Sequence, residues 1–64
     1  MASYLEKDEL VIGKIYNCET YDGLDVILKY IGDNVFRDKD SIYYYLEGDV
    51  RYVYNEQQGD YHES

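Results

Sequence analysis

The stretch Ser41–Asn55 (Ser-Ile-Tyr-Tyr-Tyr-Leu-Glu-Gly-Asp-Val-Arg-Tyr-Val-Tyr-Asn) limits the possible folds of this chain more than any other. Its aromatic and β-branched residues favour strands, and Gly48-Asp49 divides them. Gly followed by Asp suits the central positions of a type II′ hairpin turn, with Gly48 taking the positive φ. Closing the hairpin there pairs Glu47 with Val50, Leu46 with Arg51, Tyr45 with Tyr52, Tyr44 with Val53 and Tyr43 with Tyr54. Side-chain alternation then sorts the residues. Ile42, Tyr44, Leu46 and Val53 share one face, expected to be core. Tyr43, Tyr45, Tyr52 and Tyr54 share the other, with Val50 and Glu47 at the turn. A three-residue loop would slip the register by one and mix the two faces.

The preceding residues read as further hairpins. Leu10–Thr20 is expected to form a long first strand, with Gly13 marking a bulge or a close backbone approach. Asp22-Gly23 signals a type I′ turn, followed by a second strand over Leu24–Ile31. Pairing across that turn puts Ile15, Tyr21, Leu24, Val26, Leu28 and Tyr30 on a core face. Lys14, Tyr16, Cys18, Thr20, Asp25, Ile27, Lys29 and Ile31 fall on the opposite one. Gly32-Asp33-Asn34 is a tight turn into a short strand at Val35–Arg37, where Phe36 is expected to be buried. Arg37-Asp38-Lys39-Asp40 alternates in sign and reads as a solvated loop. Ser3 and Glu6 have capping-box spacing, which allows one short helical turn before Leu10. Residues 56–64 show no periodicity, and a frayed tail is expected.

The fold class is therefore all-β: a five-stranded antiparallel small barrel or strongly bent sheet over residues 10–55, between an N-terminal segment (1–9) and a tail (56–64). Three stretches give the chain its resemblance to SH3-like small barrels. These are Leu10-Val11-Ile12-Gly13-Lys14-Ile15-Tyr16, the Gly32-Asp33-Asn34 turn and the Gly48-Asp49 hairpin. The resemblance lies in strand spacing over about Leu10–Tyr54. The chain has no Trp, so the proline-rich peptide recognition of true SH3 domains does not carry over.

With 64 residues, a chain of this kind buries only roughly 60% of its unfolded surface and gains from a partner subunit. Homo-oligomerisation through the tyrosine face is accordingly expected. A single Cys excludes an internal disulfide and fits a reducing, cytoplasmic setting. Neither a signal peptide nor a membrane span is legible. Acids outnumber bases 14 to 6, for a formal charge of -8. That balance opposes long nucleic acids and anionic membranes as ligands and favours a basic protein partner.

No catalytic constellation is legible, so the chain is read as a non-enzyme with no cofactor and no metal. Cys18 has no base near it in sequence, His62 lies in the tail, and Glu19, Asp22 and Asp25 match no calcium loop and read as a solvated turn. Glu47 and Asp49 are read as turn chemistry, not as an acid–base pair. The expected function is that of a small acidic binding protein that blocks or modulates a larger, basic nucleic-acid-handling protein. Compact acidic inhibitors encoded by phages, which act in the host cytoplasm, are the analogy in size and composition. Its binding face is expected at Tyr43, Tyr45, Glu47, Asp49, Tyr52 and Tyr54. One alternative is sequestration of a small nucleotide at a protomer interface, with Tyr43 and Tyr45 stacking on the base and Arg51, Lys14 or Arg37 on the phosphate. Another is a structural homo-oligomeric subunit.

Overall fold

The computed structural model describes residues 4–56. Five antiparallel strands form one sheet: β1 (Ile15–Thr20), β2 (Asp25–Gly32), β3 (Val35–Arg37), β4 (Tyr43–Tyr45) and β5 (Val50–Glu56), in the order β4-β3-β2-β1-β5. The all-β reading and the five strands hold, but β1 begins at Ile15: Leu10–Lys14, expected to open the first strand, instead makes a turn in which Lys14 N–H bonds Val11 O. A single 3-10 turn, Lys7–Glu9, precedes them, and no α-helix occurs among the described residues. Glu6 N–H donates to Glu9 Oε1 at 2.6 Å across this turn, so the box falls three residues later than the expected Ser3 and Glu6. Ser3 and residues 57–64 of the expected tail lie outside the described residues, whereas Glu56, expected in that tail, ends β5 opposite Tyr16.

Each hairpin is set by its turn chemistry. The β1–β2 loop holds three residues, Tyr21-Asp22-Gly23, not two. Thr20 N–H bonds Leu24 O, Gly23 N–H bonds Thr20 O, and Leu24 N–H bonds the Thr20 hydroxyl. Gly23, at φ 86°, fills the left-handed third position that such a loop requires. The β3–β4 loop repeats this design. Asp38 N–H bonds Ile42 O, Ser41 N–H bonds Asp38 O, and the Asp38 carboxylate takes the Ile42 N–H, with Ser41 at φ 67°. Asp38-Lys39-Asp40-Ser41 is thus an ordered turn and not merely a solvated loop. Between them, Asp33 and Asn34, both at positive φ, make the two-residue β2–β3 turn.

The three-residue loop shifts the β1–β2 register by one from the expected pairing: Tyr16 faces Leu28 and Cys18 faces Val26. A one-residue slip turns a strand over. Tyr16, Cys18 and Thr20 therefore point inward, while Ile15 is half-buried and Tyr21 and Leu24 are exposed, at 52% and 61%. The inward assignment of Val26, Leu28 and Tyr30 on β2 stands. Phe36 is fully buried, as expected, with its ring centroid 5.0 Å from that of Tyr30. The buried phenols are satisfied: Tyr16 Oη accepts the Val11 N–H and Tyr30 Oη the Asn34 N–H.

The expected Tyr-rich hairpin does not form. β4 pairs with β3 (Phe36 opposite Tyr44) and β5 pairs with β1 (Cys18 opposite Val53). Leu46–Asp49 is a tight turn in which Gly48 and Asp49 N–H both bond Tyr45 O. Its positive φ belongs to Glu47, at 71°, and Gly48 is not left-handed. The turn joins the two edge strands of the sheet, so the sheet has to bend strongly for so short a link to span its edges. β5 also carries two bulges against β1, with one extra residue at Arg51 and another at Tyr54. These break strict alternation and turn both Val50 and Val53 inward, correcting the expectation that Val50 shares the tyrosine face. Ile42, expected in the core, is 54% exposed.

Single substitutions separate the two turn assignments. Gly23→Ala should cost about 1–2 kcal/mol, the left-handed penalty of an L-residue. Gly48→Ala should be close to neutral, because its Cβ would make only ordinary contacts, with the Tyr45 Cβ at 3.5 Å and the Tyr45 O at 3.8 Å. Urea denaturation measures both. A larger loss at Gly48 than at Gly23 would restore the Gly48-Asp49 hairpin.

Candidate protein-binding surface

The expected binding face divides into two groups. Tyr43 and Tyr45 project outward from edge strand β4, each 55% exposed. Tyr52 and Tyr54 sit on β5, the other edge strand of the sheet, and are half-buried. A third ring accounts for part of that burial. Tyr4 stacks on Tyr52 at 4.2 Å between centroids and lies 5.5 Å from Tyr54, while Leu5 N–H bonds Val53 O at 2.7 Å. The N-terminal segment therefore lies along the outer edge of β5 and protects part of it. Tyr4 had no place in the sequence reading, since an isolated aromatic in a polar segment carries no periodic signal.

The Tyr54 hydroxyl donates to the Glu19 carboxylate. This bond, more than burial or nearby charge, pushes the phenol up to about 12. Arg51 lies over the Tyr52 ring, 4.9 Å from its centroid. The β5 tyrosines thus already have partners within the chain, whereas Tyr43 and Tyr45 keep most of their ring surface in solvent.

Glu47 and Asp49 adjoin the β4 pair. The Asp49 carboxylate accepts the Tyr45 N–H at 2.9 Å and closes off one edge donor of β4. Glu47 is exposed at the tip. The structure therefore brings Tyr45, Glu47 and Asp49 together, with Tyr43 two residues along the same strand face.

The alternative nucleotide residues divide as well. Arg37 and Tyr43 are cross-strand partners, and Lys29 stands beside Arg37 in the next strand. Arg51 is on β5 against Tyr52, and Lys14 precedes β1, with its carbonyl accepting the Tyr30 N–H. Cys18 is 1% exposed, and burial pushes its thiol up to about 12, so it is a core residue with little thiolate character. His62 lies outside the described residues. Glu19 and Asp25 face each other across β1 and β2, but no group of three or more His, Cys, Asp or Glu among the described residues could hold a metal ion. No helix among them is long and apolar enough to cross a membrane.

A second surface lies at the loop end of the sheet. Tyr21 N–H bonds Asp49 O at 3.1 Å, which holds the β1–β2 loop against the 46–49 turn. Between them is a groove of about 330 Å³ lined by Tyr21, Asp22, Leu24, Val26, Tyr44 and Asp49, among others. The sequence reading had buried Tyr21 and Leu24. The signal that could have found them is Thr20 placed three residues before Gly23, the pattern of a hydroxyl-capped three-residue loop. Comparison with protein-family models, curated proteins and solved structures finds no match for the chain.

Proposed function

We propose that this chain is a small non-enzymatic binding protein that engages a basic surface on a larger protein through the β4 strand and the turn following it. The observation that carries this reading is the placement of two largely exposed tyrosines, Tyr43 and Tyr45, beside the carboxylates of Glu47 and Asp49. Tyr supplies rigid contact area at little entropic cost, and carboxylates around it select a cationic partner. A formal charge of -8 steers such a partner toward the protein from a distance. The partner class is a nucleic-acid-handling protein with a basic groove, and the action is to block or modulate it. Phage-type inhibitors remain an analogy of size and charge. A reducing cytoplasm suits the free, buried Cys18.

Thermal melts test the reading. A basic nucleic-acid-binding protein should raise the melting temperature at low salt by mass action on the folded state. The shift should shrink as salt rises from about 0.05 to 0.3 M, where the screening length shortens. Tyr45→Ser and Glu47→Gln should each reduce it. A shift that ignores salt and survives both substitutions would count against the reading. Micromolar nucleotides raising the melting temperature, with Arg37→Ala or Tyr43→Ser removing the effect, would favour nucleotide sequestration instead. That second reading keeps one observation in its support, the cross-strand pairing of Arg37 and Tyr43 beside Lys29. Self-association, the structural-subunit alternative, would use the exposed Ile42, Tyr43 and Tyr45 at the β4 edge, and sedimentation of a Tyr43→Ser/Tyr45→Ser variant tests it.

A further inference from the structure

The groove between the β1–β2 loop and the 46–49 turn combines three properties. Its floor is apolar, made by the half-buried Val26 and Tyr44, and its rim carries Tyr21 and Leu24, both more than half exposed. Its charged lining is acidic only: Asp22 and Asp49 belong to it, and no Lys or Arg does. The Tyr44 hydroxyl donates to Asp38 Oδ2 at 3.5 Å, so this lining ring is itself held by an acid. That phenol is held above its ordinary value by burial first and then by Asp38, with Asp49 and Asp40 adding to it.

The groove is also built to keep its shape. The Tyr21 N–H to Asp49 O bond ties its two walls together. The Thr20 hydroxyl fixes the β1–β2 loop through the Leu24 N–H, and the Asp49 carboxylate fixes the turn through the Tyr45 N–H. A site already held in shape loses little entropy on binding.

We infer that this groove receives an arginine side chain from a basic protein segment, an assignment that rests on the proposed reading of this chain as a binder of basic proteins. The chemistry selects that occupant. An apolar ligand would desolvate the two carboxylates without replacing their water, and an anion would be repelled. The aliphatic stem of an arginine instead covers Leu24 and Val26, and its planar head stacks on tyrosine while donating to carboxylates. The volume, at the low end for ligand sites, suits one long side chain and no larger element. β4 would then serve the partner from both faces, with Tyr43 and Tyr45 outward and Tyr44 into the groove.

The test is a titration of the ¹⁵N-labelled full chain with a blocked tri-arginine peptide at low salt, followed by amide shifts. The expected result is saturable shifts at Tyr21, Leu24 and Asp49. The tri-citrulline peptide, neutral and of the same shape, should lose them. Asp22→Asn and Leu24→Ser alter exposed side chains and leave the turn bonds intact, and together they should weaken binding about tenfold, the loss of one charge-assisted contact. Shifts confined to Tyr43, Tyr45 and Glu47 would overturn the groove and leave the broader reading standing. Equal shifts with tri-citrulline would overturn the arginine assignment. No shift with tri-arginine would overturn the groove. If basic proteins then also fail to raise the melting temperature, the broader reading falls with it.

Discussion

Phe36→Ala is expected to leave much of the chain unfolded at 25 °C. Phe36 is fully buried on the inward face of β3, between its register partners Tyr30 and Tyr44. Emptying such a site costs about 3–5 kcal/mol. A domain of 64 residues has roughly 3–10 kcal/mol of stability in total, so the loss consumes a large share of it. Ile42→Ala is the matched control. Ile42 is more than half exposed, and its truncation should change stability by less than about 0.5 kcal/mol. Circular dichroism during urea denaturation reads both variants. If Ile42→Ala proved the costlier, β4 would have to turn over, and the hairpin expected from the sequence would return.

Alkaline pH should progressively destabilise the protein from about pH 9 upward. Burial raises the Cys18 thiol from 9.0 to about 12. The unfolded thiol ionises above pH 9 while the folded one keeps its proton, so unfolding releases a proton throughout that window. Stability is therefore unaffected below pH 9 and falls as pH climbs toward 12. The full loss at the top of the window is on the order of 4 kcal/mol, at 1.36 kcal/mol per pKa unit. Tyr54, raised from 10.0 to about 12 by its bond to Glu19, acts in the same direction between pH 10 and 12. Cys18→Ala should be less stable than the parent at pH 7 through lost packing, and the gap should close or reverse by pH 11. A parent and variant whose stabilities fall in parallel from pH 9 to 10 would show that the thiol is not held neutral. Spectrophotometric titration at 295 nm should show the Tyr54 phenol among the last to ionise, with Glu19→Gln bringing it down.

Elements controlled by local chemistry were legible in the residues alone. β-branched and aromatic runs between Gly, Asp and Asn clusters mark the five strands, except that Leu10–Lys14, apolar enough to read as the start of β1, turns before it. The Asp33-Asn34 turn needs only residues that tolerate positive φ, and Phe36 is the apolar centre of a three-residue strand with charged and turn residues around it. The inward face of β2 was legible because its alternation is uninterrupted from Val26 to Tyr30. Its partner was not. A Gly following Asp serves equally as the second residue of a two-residue loop or the third of a three-residue one, and the choice turns β1 over. The Thr20 hydroxyl and the burial of Tyr16 and Cys18 decide it.

The tyrosine sheet failed for a tertiary reason. Nothing local forbids a Gly48-Asp49 hairpin, but that hairpin would leave β1 with an open edge and Val50 in water. Bending the sheet so that β5 pairs with β1 buries Val50 and Val53 together, at the cost of a left-handed Glu47 and two bulges. Burial of apolar side chains outweighs a strain of about 1–2 kcal/mol at one residue. That choice separated Tyr43 and Tyr45 from Tyr52 and Tyr54. The one-residue slip in β1–β2 likewise released Tyr21 and Leu24 to the groove. Strand identity was local information. Which strands became neighbours, and which aromatic rings were left for a partner, depended on contacts between residues far apart in the chain.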